Sequence, residues 1–402
     1  MKTIAAILLT AALLPAQPLD PLVREGFDHF YNVEYPEAIA TFKKAIEAAP
    51  SDPDRHNHLA QAVLFGMMFR VGALESEMVT GGNPFLRRPK MEPTEKEESL
   101  FKAAIETCLR ITSERLQKNA NDADAMYAQG VALGLRGTYN FLVRKAWLDA
   151  LRDVTAGRKL HNKVLQLQPE RIDARMMQGV HDYIVGSLPF AYKLLGFLAG
   201  FRGDRVAGIR TLKLVAEKGV YTKVDAEILL GVVYRRERRP GEAIPLLEDL
   251  RRRFPRNFLV LFELSQMYAD AGEKEKALEQ LERIQELKER GYPGFKSLPI
   301  ERIEYARGNL LFWYNEFDRA IGHLRNAVAN AQVLDPNAAT YSWLRLGQCY
   351  DLKGKREEAI AAYRSAAAIA PTSDPGKEAK RYSSKPFTLA LKKEIDERTR
   401  IM

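Results

Sequence analysis

The chain is 402 residues long and 46% hydrophobic, ample for a buried core, and its two cysteines exclude a disulfide-stapled scaffold. Its net charge of +9 arises from 61 basic residues interleaved with 52 acidic ones, a balance that gives no reason to expect a nucleic-acid partner. Sustained apolar alternation and Asn-Gly hairpin dipeptides are absent, so the chain reads as all-α.

From the N-terminus, Lys2, the apolar stretch 4–14 and Ala16 read as a cleavable secretory signal peptide over 1–16. The stretch is too short for a bilayer span, which needs about 20 apolar residues. No cysteine follows the expected cut, so no lipid anchor is indicated, and the expected destination is the bacterial periplasm or exterior. Residues 19–50 form a first helix pair with Gly26, Ala38, Phe42, Ala45 and Pro50 at spacings that return later. Residues 54–78 carry a helical stripe of Leu59, Val63, Met67, Val71 and Leu74, broken next by Gly81, Gly82 and Pro84. Helix resumes at Thr94, with Glu97 completing a capping box. Met126, Gly130 and Leu133 open a further first helix whose partner runs to Pro169, about fifteen residues longer than a regular unit would hold. Residues 172–216 make another pair with an insertion. Within it, 183–201 carries only one charge, Lys193. Pro189 and Lys193 argue against a transmembrane helix there. Burial is expected, and membrane contact through Phe190, Phe197 and Phe201 is the alternative. Asp204 reads as a helix cap rather than as part of an Arg-Gly-Asp adhesion tripeptide.

From 224 onward the spacing becomes strict. One unit holds Gly231, Tyr234, Ala243, Leu247, Leu250 and Pro255, and the next Leu264, Ser265, Tyr268, Ala277, Leu281 and Ile284. A third has Gly308, Leu311, Ala320, Leu324, Ala327 and a displaced Pro336; the last has Trp343, Leu346, Gly347, Tyr350, Ala359, Tyr363, Ala366 and Pro371. Small residues at two positions let paired helices approach, bulky ones fill the space beside them, and proline ends the second helix. Turns are expected at 237–241, 270–273, 315–318 and 352–355. The pattern resembles the tetratricopeptide repeat (TPR), a helix–turn–helix unit of about 34 residues. The expected fold is therefore an all-α, TPR-like helix–turn–helix solenoid: a divergent region over 17–223, regular repeats at 224–257, 258–291, 301–334 and 340–373, and a linker with a capping helix over 374–402. Residues 373–385 are expected as a polar loop. The resemblance implies that first helices line a concave face, and that this face binds rather than catalyses.

The stretch 179–219 also resembles a divergent repeat family found in bacteria and eukaryotes, whose members are linked to the outer mitochondrial membrane and to lipid and inclusion-body handling. The matching elements are Leu188-Pro189, the apolar run ending near Gly200, Gly203-Asp204-Arg205, Gly208, Ile209 and Leu212. This resemblance implies no enzymatic activity and points toward apolar ligands or membranes.

Chemistry-bearing patterns are lacking. No two of the six histidines have the i, i+4 spacing of a zinc pair, and neither a Gly-x-Ser-x-Gly elbow nor a phosphate-binding glycine loop is present. No catalytic residue, metal, cofactor or small-molecule substrate is expected. Cys108 and Cys349 are expected as buried free thiols. The arginines 235, 236, 238, 239 and 251, 252, 253, 256 are expected at opposite edges of the solenoid, each group favouring a helix C-terminus. The repeat register places Phe262, Gln266, Tyr305, Asn309, Phe312, Tyr341, Leu344 and Gln348 in the groove. Only Asn309 matches the lysine–asparagine clamp by which some family members hold a terminal carboxylate, so a more apolar protein or peptide segment is expected. The function expected is an exported, non-enzymatic scaffold of the bacterial envelope. The alternative is a membrane-surface or apolar-ligand-binding factor using 183–201.

Overall fold

Eight of the described helices start at a short polar side chain. Asp20, Asp52, Thr94, Asp122, Asp204, Asn257, Asp335 and Ser373 each accept a backbone N–H from the first turn of the helix that follows. Thr94 and Glu97 close the reciprocal capping box. The computed structural model describes residues 20–74, 90–187 and 202–401, the last with side chains to 396. The expected signal peptide and residues 188–201 lie outside the described residues.

The helices pair in chain order. They are α1 (Pro21–Tyr31) with α2 (Tyr35–Ala48), α3 (Pro53–Arg70) with α4 (Glu95–Lys118), and α5 (Ala123–Tyr139) with α6 (Trp147–Leu167). Next come α7 (Met176–Gly186) with α8 (Arg205–Lys218), α9 (Lys223–Arg236) with α10 (Pro240–Arg253), and α11 (Phe258–Asp270) with α12 (Lys274–Glu289). Then α13 (Ile300–Trp313) packs on α14 (Phe317–Ala329), α15 (Pro336–Leu352) on α16 (Arg356–Ile369), and α17 (Asp374–Ser384) on α16; α18 (Leu389–Ile401) ends the chain. First helices also touch the next first helix, as α3 touches α5 and α13 touches α15, which makes them an inner layer. Among the described residues there is no strand. The expected loop at 373–385 is instead α17: Ser373 caps it, and Ala379 and Tyr382 are buried against α16, which overrides its polar composition.

One packing rule holds the pairs together. A Cβ on Gly347 would come within 2.5 Å of the Tyr363 ring, and one on Gly26 would strike Phe42 at the same sequence offset. Ala38, Ala243, Ala277, Ala320 and Ala359 are all fully buried at the equivalent place on the second helix. In the elaborated pairs the same sites recur further apart in sequence: His161 faces Gly130, Leu212 faces Gly179, and Gly157 and Gly208 stand where alanine is used elsewhere.

The turn inside each regular pair is equally uniform. Val33, Arg238, Gly272, Asn315 and Gly354 all have positive φ, from 55° to 81°. After each, a backbone N–H returns to the helix it has just left: Glu34 to His29, Arg239 to Tyr234, Glu273 to Tyr268, Glu316 to Leu311, Lys355 to Tyr350. This is the Schellman bond that satisfies an otherwise unpaired carbonyl.

The array closes on itself. Arg256, in the turn after α10, donates from Nε to Glu34 (2.7 Å) and also pairs with Asp28, while its backbone N–H donates to Asn32 Oδ1 (2.9 Å). Asn257 Nδ2 donates to the Tyr31 carbonyl (2.8 Å), and Phe69 lies beside Phe258. Val224 and Phe254 pack against both the N-terminal core and the core of the regular repeats. Two of the arginines expected at solvated edges are thus structural. Arg256 ties the first repeat to the middle of the chain, and Arg235 is only 8% exposed and paired with Glu263.

Candidate partner-binding groove

The first helices α9, α11 and α13 present one face to a shared cleft. The register puts Leu259, Phe262 and Gln266 of α11 opposite Arg302, Ala306 and Asn309 of α13, with Arg235 of α9 at one end. The cleft holds about 40 Å³. Small-molecule pockets span about 300–1,000 Å³, so this one admits a side chain of a larger partner rather than a metabolite. Its polar groups are organised. The Arg235 guanidinium is 3.0 Å from Glu263 Oε2. Arg302 is 9% exposed, and its guanidinium lies 5.2 Å from the Phe262 ring centroid and 5.1 Å from that of Tyr305. Stacking of this kind keeps an arginine ordered while it is desolvated.

The residues expected in the groove separate into two sets. Phe262, Gln266 and Asn309 line the cleft. Phe312 and Leu344 are fully buried between layers, Tyr305 and Gln348 nearly so, and Tyr341 is half-buried. Removing Tyr305 or Phe312 therefore perturbs packing before it perturbs any surface. Arg345 links the sets: its Nε donates to Asn309 Oδ1 (2.9 Å), its Nη1 donates to Gln348 Oε1 (2.7 Å), and its guanidinium lies over Phe312 and Trp313. Arg235, Arg302 and Arg345 were absent from the sequence-derived groove. Their signal was available in the register: Arg302 stands one helical turn before Tyr305, and Arg345 next to Leu344, on the first helices that carry the groove positions.

Phe190, Phe197 and Phe201 lie outside the described residues. Among the described residues no helix is long and apolar enough to cross a membrane, and no group of three His, Cys, Asp or Glu side chains could hold a metal ion. Cys108 and Cys349 are free and buried, and burial pushes both thiols up to about 12, which leaves them unreactive.

Residues 228–293 and 305–374 match the family model of the tetratricopeptide repeat. These residues form tetratricopeptide repeats. Over 149 residues the chain is 28% identical to a Drosophila melanogaster protein described as "BBSome complex member BBS4 homolog"; the match covers 37% of this chain and 28% of that protein, so this chain spans well under a third of that relative. Among solved structures it is similar to yeast Tom70, with a TM-score of 0.39 and 16% identity over 94% of this chain and 98% of that one. It is likewise similar to the human IFIT1 dimer with PPP-AAAA, with a TM-score of 0.40 and 15% identity over 84% of this chain and 69% of that one. Tetratricopeptide repeats characteristically form binding scaffolds, and the cleft lies on the first-helix face of the matched repeats.

Proposed function

We propose that this protein is an exported, non-enzymatic scaffold of the bacterial envelope that holds a segment of a partner protein along its first-helix face. The cleft between α11 and α13 carries the proposal: it is side-chain-sized, lined by Phe262, Gln266, Ala306 and Asn309, and bordered by an ordered arginine, Arg302. Export is supported by Lys2 and the apolar stretch 4–14.

Filling the cleft tests the binding site without hollowing the core. The full chain with Gln266→Arg and Ala306→Glu is expected to keep its melting temperature and to lose capture of an envelope protein that the unaltered chain retains. Equal capture by both would remove the cleft from consideration. Export is tested by fusing residues 1–30 to a phosphatase active only outside the cytoplasm; activity that disappears when 4–14 is deleted is the expected result.

One observation favours a second reading, in which a membrane surface is the partner. On α6, Leu148 is 77% exposed, Trp147 and Leu151 are also exposed, and Arg152 and Lys159 share that outer side. An apolar strip flanked by cations suits an anionic interface. Flotation with anionic vesicles that is lost on Leu148→Ser with Leu151→Ser supports it, and the absence of flotation rejects it.

A further inference from the structure

The last two helices are held in different ways. α17 lies lengthwise on α16, whereas among the described residues α18 makes no comparably extended contact with any one helix. Just before it, Phe387 is buried between Phe312 and Tyr382, with ring centroids 6.2 and 5.2 Å away, and its N–H donates to Asp351 Oδ2 (2.8 Å). Along α18, Leu391, Lys392 and Ile395 turn inward, while Leu389, Lys393 and Glu394 are exposed.

The central inward residue is a lysine, where a helix that merely capped the array would place leucine. Lys392 retains 1% of its exposure. A buried ammonium is costly unless every proton finds a partner, and this one is supplied with several. It donates to the Trp313 carbonyl at the C-terminus of α13 (3.3 Å) and to Asp396 one turn further along its own helix (3.0 Å). It lies 5.3 Å from the ring centroids of both Phe312 and Trp313. A helix C-terminus and two aromatic faces attract a cation independently of what chain carries it. The arrangement is built to select a lysine, and Arg345, on the same two rings, connects it to Asn309 in the cleft.

We propose that Phe312, Trp313 and the end of α13 form a lysine-recognition site for an amphipathic helix, and that α18 is its built-in, displaceable occupant. The external partner would be a protein helix bearing a lysine, a carboxylate one turn later, and apolar residues on either side of that lysine. This deepens the scaffold reading above and rests on it, since the same first-helix face supplies both sites. Few apolar anchors, here Leu391 and Ile395, and no extended helix contact are the features of an element that opens locally, well before the whole molecule unfolds.

Two measurements on the full-length chain test this. Hydrogen exchange at the amides of 389–396 is expected to be at least about tenfold faster than in α13 and α15, through local opening. Exchange of α18 only with global unfolding would overturn the proposal. Separately, a fluorescent synthetic peptide of residues 385–402 is added to the chain carrying Leu391→Asp and Ile395→Asp, whose own α18 is released. The peptide should bind this variant, bind the unaltered chain far less, and bind about tenfold more weakly when it carries Lys392→Ala. No binding to the released variant, or an alanine peptide that binds equally well, would overturn the lysine site. Should the released variant lose helicity, exchange in the unaltered chain decides alone. Capture through the cleft is scored in a different assay, so failure of the α18 proposal and failure of the scaffold reading are distinguishable.

Discussion

In the regular half, α15 meets α16 through Gly347, Ala359 and Tyr363; in the elaborated half, α7 meets α8 through Gly179, Gly208 and Leu212. The contact sites correspond, but their closeness differs. On the regular side a glycine faces a side chain. At Gly208 it faces the backbone N of Tyr183, so that pair is pressed together along the main chain. The insertions of the N-terminal half lengthen helices and connections around an unchanged contact. A repeat fold tolerates length where the chain leaves the contact and resists any change in volume at the contact itself.

Substitutions at three glycines should break this comparison most sharply. Gly208→Ala forces two backbones apart and is expected to cost about 3 kcal/mol or more, the upper end for overpacking. Gly347→Ala meets the buried Tyr363 ring at 2.5 Å, which can shift slightly, and about 1–3 kcal/mol is expected. Gly231→Ala finds its nearest neighbour, Leu247 Cδ2, at 3.5 Å and should be neutral or stabilising by about 0.5–1 kcal/mol through helix propensity. Thermal and urea melts give the order; equal losses at all three would show that closeness at the contact does not set the cost.

The contact between the halves is the next target. Arg256→Ala removes charge-assisted bonds to Glu34 and Asp28 and should cost about 2 kcal/mol. Limited proteolysis should then cut first within 20–74. Cleavage unchanged from the parent chain would mean that the first repeat is held by apolar contacts such as Phe69 on Phe258 instead.

Asp225 gives that same junction a pH dependence. Burial pushes its carboxyl from 3.8 up to about 7, against hydrogen bonds from Tyr31 and Gln61, with Asp173 adding repulsion. The folded state therefore holds a proton that the unfolded chain releases between about pH 4 and 7, so this residue's contribution to stability falls as pH rises through that window. Asp225→Asn should raise the melting temperature by a few degrees at pH 8 and leave it unchanged at pH 5. An equal shift at both values would show that the carboxyl does not titrate there.

A further small effect concerns the repeat turn. Arg238 is exposed and sits at φ 55°, a conformation that Gly272 and Gly354 adopt in the equivalent turns. Arg238→Gly should stabilise by about 1 kcal/mol by relieving the left-handed strain. A loss of stability would show that the arginine side chain contributes more than its backbone costs.

What could be read from residues alone was local. The Gly–Ala–aromatic spacing, the Thr94–Glu97 box and the Asp204 cap each act within one or two helical turns, or between helices adjacent in sequence, so the pattern that creates the contact is also the pattern that reveals it. The groove was partly legible for the same reason. Register assigns Phe262, Gln266 and Asn309 to the first-helix face, but it cannot say which neighbours cover that face, and α18 with Phe387 covers the part near Phe312. Composition also misdirects where burial is supplied from elsewhere: 374–384 is polar along the chain and helical because α16 lies beneath it.

The sequence by itself determined the helix pairs, their turns and their caps, because each depends on neighbours a few residues away and on the fixed geometry of the helix. Only the tertiary structure decided that Arg256 reaches Glu34, that Asp225 lies beside Tyr31 and Gln61, and that Lys392 is enclosed against Phe312 and Trp313. These contacts join residues far apart in the chain. They depend on small rotations between layers added over the whole superhelix, and no single repeat encodes that sum.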